Sequence, residues 1–114
     1  MEKSNAVAAL SALAQDNRLD VFRLLVQAGP DGITAGEIAE TLDVPPNTLT
    51  FHFDRLRMAN LATVRRDGRS MIYAAQFDTM NALLGFLTEN CCGGAPCAPA
   101  AACKPARKRV KAPA

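Results

Sequence analysis

Two adjacent cysteines, two glycines and a further cysteine make up the run Cys91-Cys92-Gly93-Gly94-Ala95-Pro96-Cys97, and residues 1–90 contain no cysteine at all. A fourth thiol, Cys103, follows shortly after. Thiols confined to one short segment make a site rather than a core. Thiolates are soft, polarizable ligands, so three or more within reach of one centre select zinc, copper(I) or a trivalent metalloid over hard ions. Adjacent residues on a regular helix diverge by about 100°, so Cys91 and Cys92 converge only where a helix ends. Gly93-Gly94 permits that ending, and Pro96 helps turn the chain back so that Cys97 closes a short loop at low entropic cost.

A second cluster is basic. All eleven Asp and Glu lie before Cys91, where they face eight Lys and Arg, and the other five basic residues, Lys104, Arg107, Lys108, Arg109 and Lys111, are in the tail. Overall basicity therefore says little about the body of the protein. Position says more: Arg55, Arg57, Arg65, Arg66 and Arg69 are five of those eight, and a local cluster attracts phosphate whatever the net charge. The 114 residues suffice for one domain, which dimerisation would help to stabilise. Residues 1–9 are too polar for a secretory h-region, and no apolar run approaches the roughly twenty residues needed to span a bilayer. The expectation is a cytoplasmic protein with reduced thiols and no membrane partner. Residues 1–92 read as the folded domain and residues 93–114 as a flexible Cys/Ala/Pro/Lys-rich tail.

The elements that must position these groups are mostly helical. Periodicity predicts a first helix over about residues 5–14, with Val7, Leu10, Leu13 and Ala14 on one side. A second covers about 16–28, with Leu19, Phe22, Leu25 and Val26 inward, and Gly29-Pro30 ends it. Thr34 and Glu37 have the spacing of a capping box, with Ile33 and Ile38 placed as a hydrophobic staple, so a third helix starts there and carries Ile38, Ala39 and Leu42. After the turn Asp43-Val44-Pro45, Pro45-Pro46 suits the N-terminus of a fourth helix that runs to about Met58, with Leu49, Phe53 and Leu56 as its core stripe. Asp67-Gly68, between the β-prone runs 61–66 and 69–74, predicts a type I′ hairpin. Asp78 is placed to cap a last helix from Thr79 to about Cys91, with Met80, Leu83, Leu84 and Leu87 on its apolar side and Gly93 to end it.

Two short helices joined by a three-residue turn and followed by a basic hairpin make a winged helix-turn-helix, a mainly α fold with a β-hairpin wing. In such a pair the second helix enters the major groove of double-stranded DNA, with base contacts near its N-terminus. With Leu49, Phe53 and Leu56 inward, Asn47, Thr50, Phe51 and Asp54 point away. Asn47 and Thr50 are the candidate readers of base edges, with Pro46 and Thr48 beside them, and Phe51 is placed to pack on a thymine methyl. Arg65, Arg66 and Arg69 around the wing turn are candidates for phosphates or the minor groove, and Arg55 on the helix is a further candidate DNA contact. His52, the lone histidine, lies beside the core stripe and reads as a packed or phosphate-contacting residue rather than a metal ligand. Asp54 repels DNA unless Arg55 or Arg57 screens it. The plainer reading is a solvated helix face and an edge strand guarded by arginines; the ordered combination favours DNA.

The run Ala12-Leu13-Ala14 through Arg18-Leu19-Asp20-Val21-Phe22-Arg23-Leu24-Leu25, the helix start Gly36-Glu37-Ile38-Ala39, the segment Thr50-Phe51-His52-Phe53-Asp54-Arg55-Leu56 and the wing Asp67-Gly68-Arg69-Ser70-Met71-Ile72-Tyr73 resemble the ArsR/SmtB family of winged-helix repressors over about residues 5–90. That resemblance implies a homodimer built from the first and last helices, seated on a palindromic operator and released when an inducer binds. The sequence departs from two of the family's better-known sites. Glu37 to Leu42 lacks the cysteine pair of arsenic and cadmium sensors, and one histidine in the recognition helix cannot supply the His and Asp set that zinc sensors place on the last helix. What remains, Glu89-Asn90-Cys91-Cys92-Gly93-Gly94 with Cys97, resembles the C-terminal thiol site of one arsenite-responsive branch.

Trivalent arsenic prefers a pyramidal set of three sulfurs, which Cys91, Cys92 and Cys97 would supply, whereas zinc normally takes four ligands. Cys103 is the alternative third ligand or a fourth. The expectation is an As(III)-responsive repressor of operator DNA, with Sb(III) as a related inducer. The alternatives are a thiol redox sensor in which Cys92 pairs with Cys97 or Cys103, a Cys₄ sensor for zinc or cadmium, and a thiol metal carrier whose winged helix serves only as a protein-interaction surface. No Cys-x-x-Cys, phosphate-cradling loop or general base accompanies the thiols, which argues against a thiol oxidoreductase or an arsenate reductase.

Overall fold

The computed structural model describes residues 1–94; of the expected tail, Gly93 and Gly94 are among them, while residues 95–114, with Cys97 and Cys103, lie outside. The chain runs α1 (Lys3–Leu13), α2 (Asp16–Ala28), β1 (Ile33–Thr34), α3 (Ala35–Leu42), α4 (Pro46–Met58), β2 (Ala62–Asp67), β3 (Ser70–Ala75) and α5 (Phe77–Leu87), followed by a 3₁₀ turn at Cys91–Gly94. Capping chemistry sets several of these boundaries. The Gln15 side chain accepts from the Arg18 amide at 2.9 Å to start α2. At α3 the expected capping box is present in both directions, Thr34 Oγ1 accepting from the Glu37 amide and Glu37 Oε1 from the Thr34 amide. Gly29 ends α2 at φ 83°, a left-handed value that glycine adopts without a Cβ clash.

The core is formed where α2, α3 and α4 meet the sheet. Val21, Leu25, Ile38, Leu49, Phe53, Leu56 and Leu61 are its fully buried large side chains. The expected stripe of α4 is therefore present, as are Phe22 and Leu25 of α2. Two inward faces differ from expectation. On α1 the side that enters the core is Ala6, Ala9 and Ala12, while Val7 is 58% and Leu10 43% exposed. Small side chains let the α1 backbone lie close to α2 and α4, and close approach decides the facing here more than hydrophobicity does. On α2, Leu19 is exposed and Val21 is buried; the two lie about 200° apart around the helix, so both cannot face inward.

The sheet is antiparallel in the order β1-β3-β2. The two-residue strand β1, too short to show a period, pairs Ile33 with Tyr73 and Thr34 with Ile72. Gly32 enters it at φ 82°, and a Cβ there would sit 2.7 Å from the Tyr73 carbonyl oxygen and 2.8 Å from Ile72 Cγ2. Only glycine lets the chain pass that close to β3. The wing turn is one residue further along than Asp67-Gly68 predicts. Asp67 pairs with Ser70, so Gly68 and Arg69 are the central residues, and of the two only Gly68 has positive φ, at 63°. Glycine first and positive φ at that position alone fit the II′ class rather than I′.

The last helix is also shifted. It starts at Phe77 with Gln76 as N-cap, and Asp78 lies in its first turn rather than capping it. A carboxylate there still faces the positive end of the helix dipole. α5 ends at Leu87, short of Cys91. The Thr88 hydroxyl donates to the Leu84 carbonyl at 2.8 Å, and Asn90 turns left-handed at φ 58°. Leu83 is buried, but Leu84 and Leu87 are exposed, so only part of the expected apolar side packs within the chain. No helix among the described residues is long and apolar enough to cross a membrane.

Candidate functional site

The α3–α4 turn carries Asp43 in the left-handed conformation, φ 53° and ψ 49°, and Pro46 occupies the first helical position of α4. Burial of Leu49, Phe53 and Leu56 then fixes the rotation of α4. Phe53 also stacks on Tyr73 of β3, with ring centroids 3.6 Å apart and planes 13° from parallel, which ties the helix to the wing. The outward face carries Pro46, Asn47, Thr48, Thr50, Phe51, Asp54 and Arg55, all exposed. Phe51, at 53% exposure, has no core role to account for it.

Local contacts differentiate that face. Thr50 Oγ1 donates to the Pro46 carbonyl at 3.0 Å, so its hydroxyl is left as an acceptor. Arg57 Nη2 donates to Asp54 Oδ1 at 3.0 Å, which screens the carboxylate as expected, though exposed pairs of this kind contribute little to stability. The Arg55 guanidinium lies over the Phe51 ring, 5.1 Å from its centroid. In the wing, Arg65 Nη2 donates to the Asp31 carbonyl at 2.9 Å and so braces β2 against the loop before β1. Arg66 is exposed on the opposite face of the strand, and Arg69 is exposed in the turn itself. The structure therefore gathers every expected contact residue of α4 on one exposed face except His52.

His52 takes the packed position of its two expected ones, which corrects its reading as a phosphate contact. It is 5% exposed, and neither ring nitrogen has a hydrogen-bond partner among the described residues. An imidazole enclosed in this way does not present itself to phosphate. Burial, and secondarily the Arg18 guanidinium, push its pKa below 6.5. Arg18 is itself fixed, its Nε donating to the Ala12 carbonyl at 2.7 Å. The folded protein therefore binds the His52 proton less readily than the unfolded chain. The stability that neutral His52 allows is complete above about pH 6.5 and declines as pH falls below that value towards the lowered folded pKa. Urea midpoints measured at pH 7.5, 6.0 and 5.2 are expected to fall with pH in the wild type and to fall less in His52→Leu. Parallel declines in the two proteins would assign the pH dependence to other groups.

At the end of α5 the backbone departs from helix at Cys92, φ 57° and ψ 36°, and at Gly93, φ 70° and ψ 21°. That turn brings the sulfurs of Cys91 and Cys92 to 3.5 Å. Gly93 thus adopts the expected left-handed conformation, and Cys92 shares it. Cys92 is an exposed free thiol, whereas Cys91 is one half of a disulfide. Two residues that shape the interface carry little sequence signal. Tyr73 reads as an ordinary strand aromatic until the register places it against Val64 and Ile33, and Arg18 reads as a solvated helix residue until its bond to Ala12 is seen.

A helix-turn-helix domain family matches residues 13–65. The HTH-type transcriptional regulator YceK of Bacillus subtilis, itself uncharacterized, is 34% identical over 77 residues, covering 67% of this chain and 76% of that protein. The crystal structure of NolR from Sinorhizobium fredii superposes with a TM-score of 0.61 at 30% identity, covering 75% of this chain and 83% of NolR. The solution structure of Mb0332 (fragment 1–100) from Mycobacterium bovis, a homodimeric winged helix-turn-helix DNA-binding domain described as a possible ArsR-family regulator, superposes with a TM-score of 0.62 at 23% identity, covering 76% and 81% of the two chains. By its identity to YceK and NolR, the chain belongs to the helix-turn-helix family of transcriptional regulators, and it carries the winged-helix fold found in ArsR-like members.

Proposed function

We propose that the chain is a cytoplasmic, homodimeric repressor that binds a palindromic operator and releases it when trivalent arsenic, or antimony, is captured by Cys91, Cys92 and Cys97. The observation that carries the inducer class is the convergence of the Cys91 and Cys92 sulfurs at the end of α5. Once Cys91 is reduced, two soft donors would stand side by side, with a third five residues on, a set that trivalent metalloids favour over hard ions. Cys103 would substitute as third ligand. Residues 1–92 would carry DNA binding and dimerisation, and residues 93–114 would complete the thiol site.

On DNA, the α4 helices of the two protomers would occupy major grooves about one helical turn apart. Asn47 and Thr50 would read base edges, flanked by Pro46 and Thr48, while Arg66 and Arg69 would meet phosphate and Arg65 would hold the wing. The exposed side chains Val7 and Leu10 on α1 and Leu84 and Leu87 on α5 supply apolar surface for a second copy, and α1 packs beside α5 within the chain. The homodimeric state of Mb0332 supports the same reading. Drawing the thiols together would tether the segment after α5 and shift that helix against its partner, so the two α4 helices would lose their spacing. By linkage, the factor by which inducer weakens operator binding equals the factor by which operator weakens inducer binding.

Substituting Asn47 by alanine tests the DNA face. It is expected to weaken the selected operator by about 1–3 kcal/mol, measured by anisotropy at fixed salt, while a change at Asp20, exposed on α2 outside the helix-turn-helix and the wing, leaves binding unaltered. Equal losses in the two variants would contradict the groove assignment. A second reading has its own observation: the disulfide at Cys91, rather than at Cys92 as expected, favours a repressor of the same fold that responds to thiol oxidation.

A further inference from the structure

We infer that Arg55 is a specificity residue that reads a guanine in the major groove, and that Phe51 is the positioning residue that sets its guanidinium for that contact. The inference rests on the DNA-binding reading above and adds to it which base is recognised and how.

Asn47, Phe51 and Arg55 are exposed and recur every four residues along α4, so they form one ridge on the outward face. At 1.5 Å per residue the ridge is about 12 Å long, which at 3.4 Å per base pair matches about three to four base pairs. The far end of the ridge holds a long cationic side chain whose orientation is already set. The Arg55 guanidinium lies over Phe51 at 5.1 Å from the ring centroid, and such stacking is favourable because the ring face is negative. A guanidinium held against the ring on one side keeps the N–H donors on its other side for a planar acceptor pair. Guanine offers that pair in the major groove as O6 and N7.

Neighbouring contacts keep this donor fork available. Asp54, the carboxylate next to it, is occupied by Arg57 at 3.0 Å, and among the described residues no carboxylate pairs with Arg55. A phosphate contact does not require a prepositioned plane, nor does it account for a phenylalanine left 53% exposed on a polar helix face. A preformed cation–ring contact accounts for both, since it removes part of the rotamer entropy that an arginine otherwise loses on binding. The ring edge beyond the stack remains open to a thymine methyl beside that guanine.

The test uses the reduced full-length protein and duplexes recovered by selection from random sequence, with anisotropy read on the best site. Each guanine is replaced in turn by 7-deazaguanine, which lacks the N7 acceptor, and by inosine, which keeps O6 and N7. Wild type is expected to lose about tenfold at one 7-deazaguanine position per half-site and little with inosine there. Arg55→Ala should bind more weakly and be indifferent to that replacement. Phe51→Ala should retain Arg55 but discriminate less, and Phe51→Tyr should restore the discrimination. Both residues are exposed, and thermal unfolding of each variant checks that the fold is intact. If Arg55→Ala weakens all sequences equally and lowers the salt slope by about one, Arg55 is a phosphate contact and the inference is overturned. Undiminished discrimination in Phe51→Ala overturns the positioning role. Recovery of no duplex at all overturns the DNA-binding reading, and this inference with it.

Discussion

Replacing Phe53 by alanine is expected to lower the unfolding free energy by about 3–5 kcal/mol and to abolish operator binding at growth temperature. Phe53 is 1% exposed, so truncation removes buried apolar surface and leaves a cavity that the surrounding helices fill only in part. It also removes the stack on Tyr73, 3.6 Å between centroids, which joins the reading helix to the wing. A small domain has about 5–15 kcal/mol to lose, so most of the margin would disappear. Equilibrium urea unfolding of wild type and variant at one protein concentration checks this, concentration being held fixed because association contributes to apparent stability. A change below about 1 kcal/mol would mean that Phe53 does not carry the junction between α4 and β3.

The second large effect is functional. Changing Cys91, Cys92 and Cys97 together to serine is expected to leave operator affinity within about twofold of wild type and to eliminate arsenite-induced release, removing a coupling of about 1–3 kcal/mol. Serine offers a hard, protonated oxygen where cysteine offers a soft thiolate, so capture fails while side-chain size is nearly kept. The packed helices are expected to tolerate the changes at Cys91 and Cys92, because α5 ends at Leu87 and Cys92 is exposed. The check is anisotropy on the selected operator with arsenite up to a hundredfold excess over protein. A triple variant that still releases at near-stoichiometric arsenite would exclude the site.

Much of the architecture was legible because local chemistry and burial agree. Proline at the start of α4, the Thr34–Glu37 box and the Leu49-Phe53-Leu56 spacing each specify the same helix-turn-helix, and the structure reproduces all three. What was misread depends on long-range geometry. The alanine side of α1 enters the core because helices approach closely there, and no hydropathy pattern marks that preference. The wing turn can be framed as Asp67-Gly68 or as Gly68-Arg69; pairing of β3 with β2 selects the second, which puts Arg69 at the tip. The glycines predict that α5 ends at them, but Thr88 and Asn90 stop it earlier.

The candidate site divides along the same line. The outward face of α4 followed from its inward stripe, so Asn47, Thr50 and Phe51 lie where expected, whereas His52, one residue from the stripe, was carried into the core by the packing of α1 and α2 on α4. The convergence of Cys91 and Cys92 followed from the glycines after them. Their proposed partner Cys97 lies outside the described residues. Arg55 is legible from sequence as a candidate DNA contact, but its position over the Phe51 ring four residues back is not.

In the proposed mechanism the DNA-bound regulator would be released by a soft trivalent metalloid held by thiols after α5. Anisotropy of the reduced full-length protein on its own upstream DNA, titrated separately with arsenite, zinc, cadmium and an oxidant, tests it most directly. Release by arsenite at near-stoichiometric levels, with zinc and oxidant ineffective, is the predicted result. Release by oxidant or cadmium with no response to arsenite would contradict the metalloid assignment, and no binding to any upstream fragment would contradict the repressor itself.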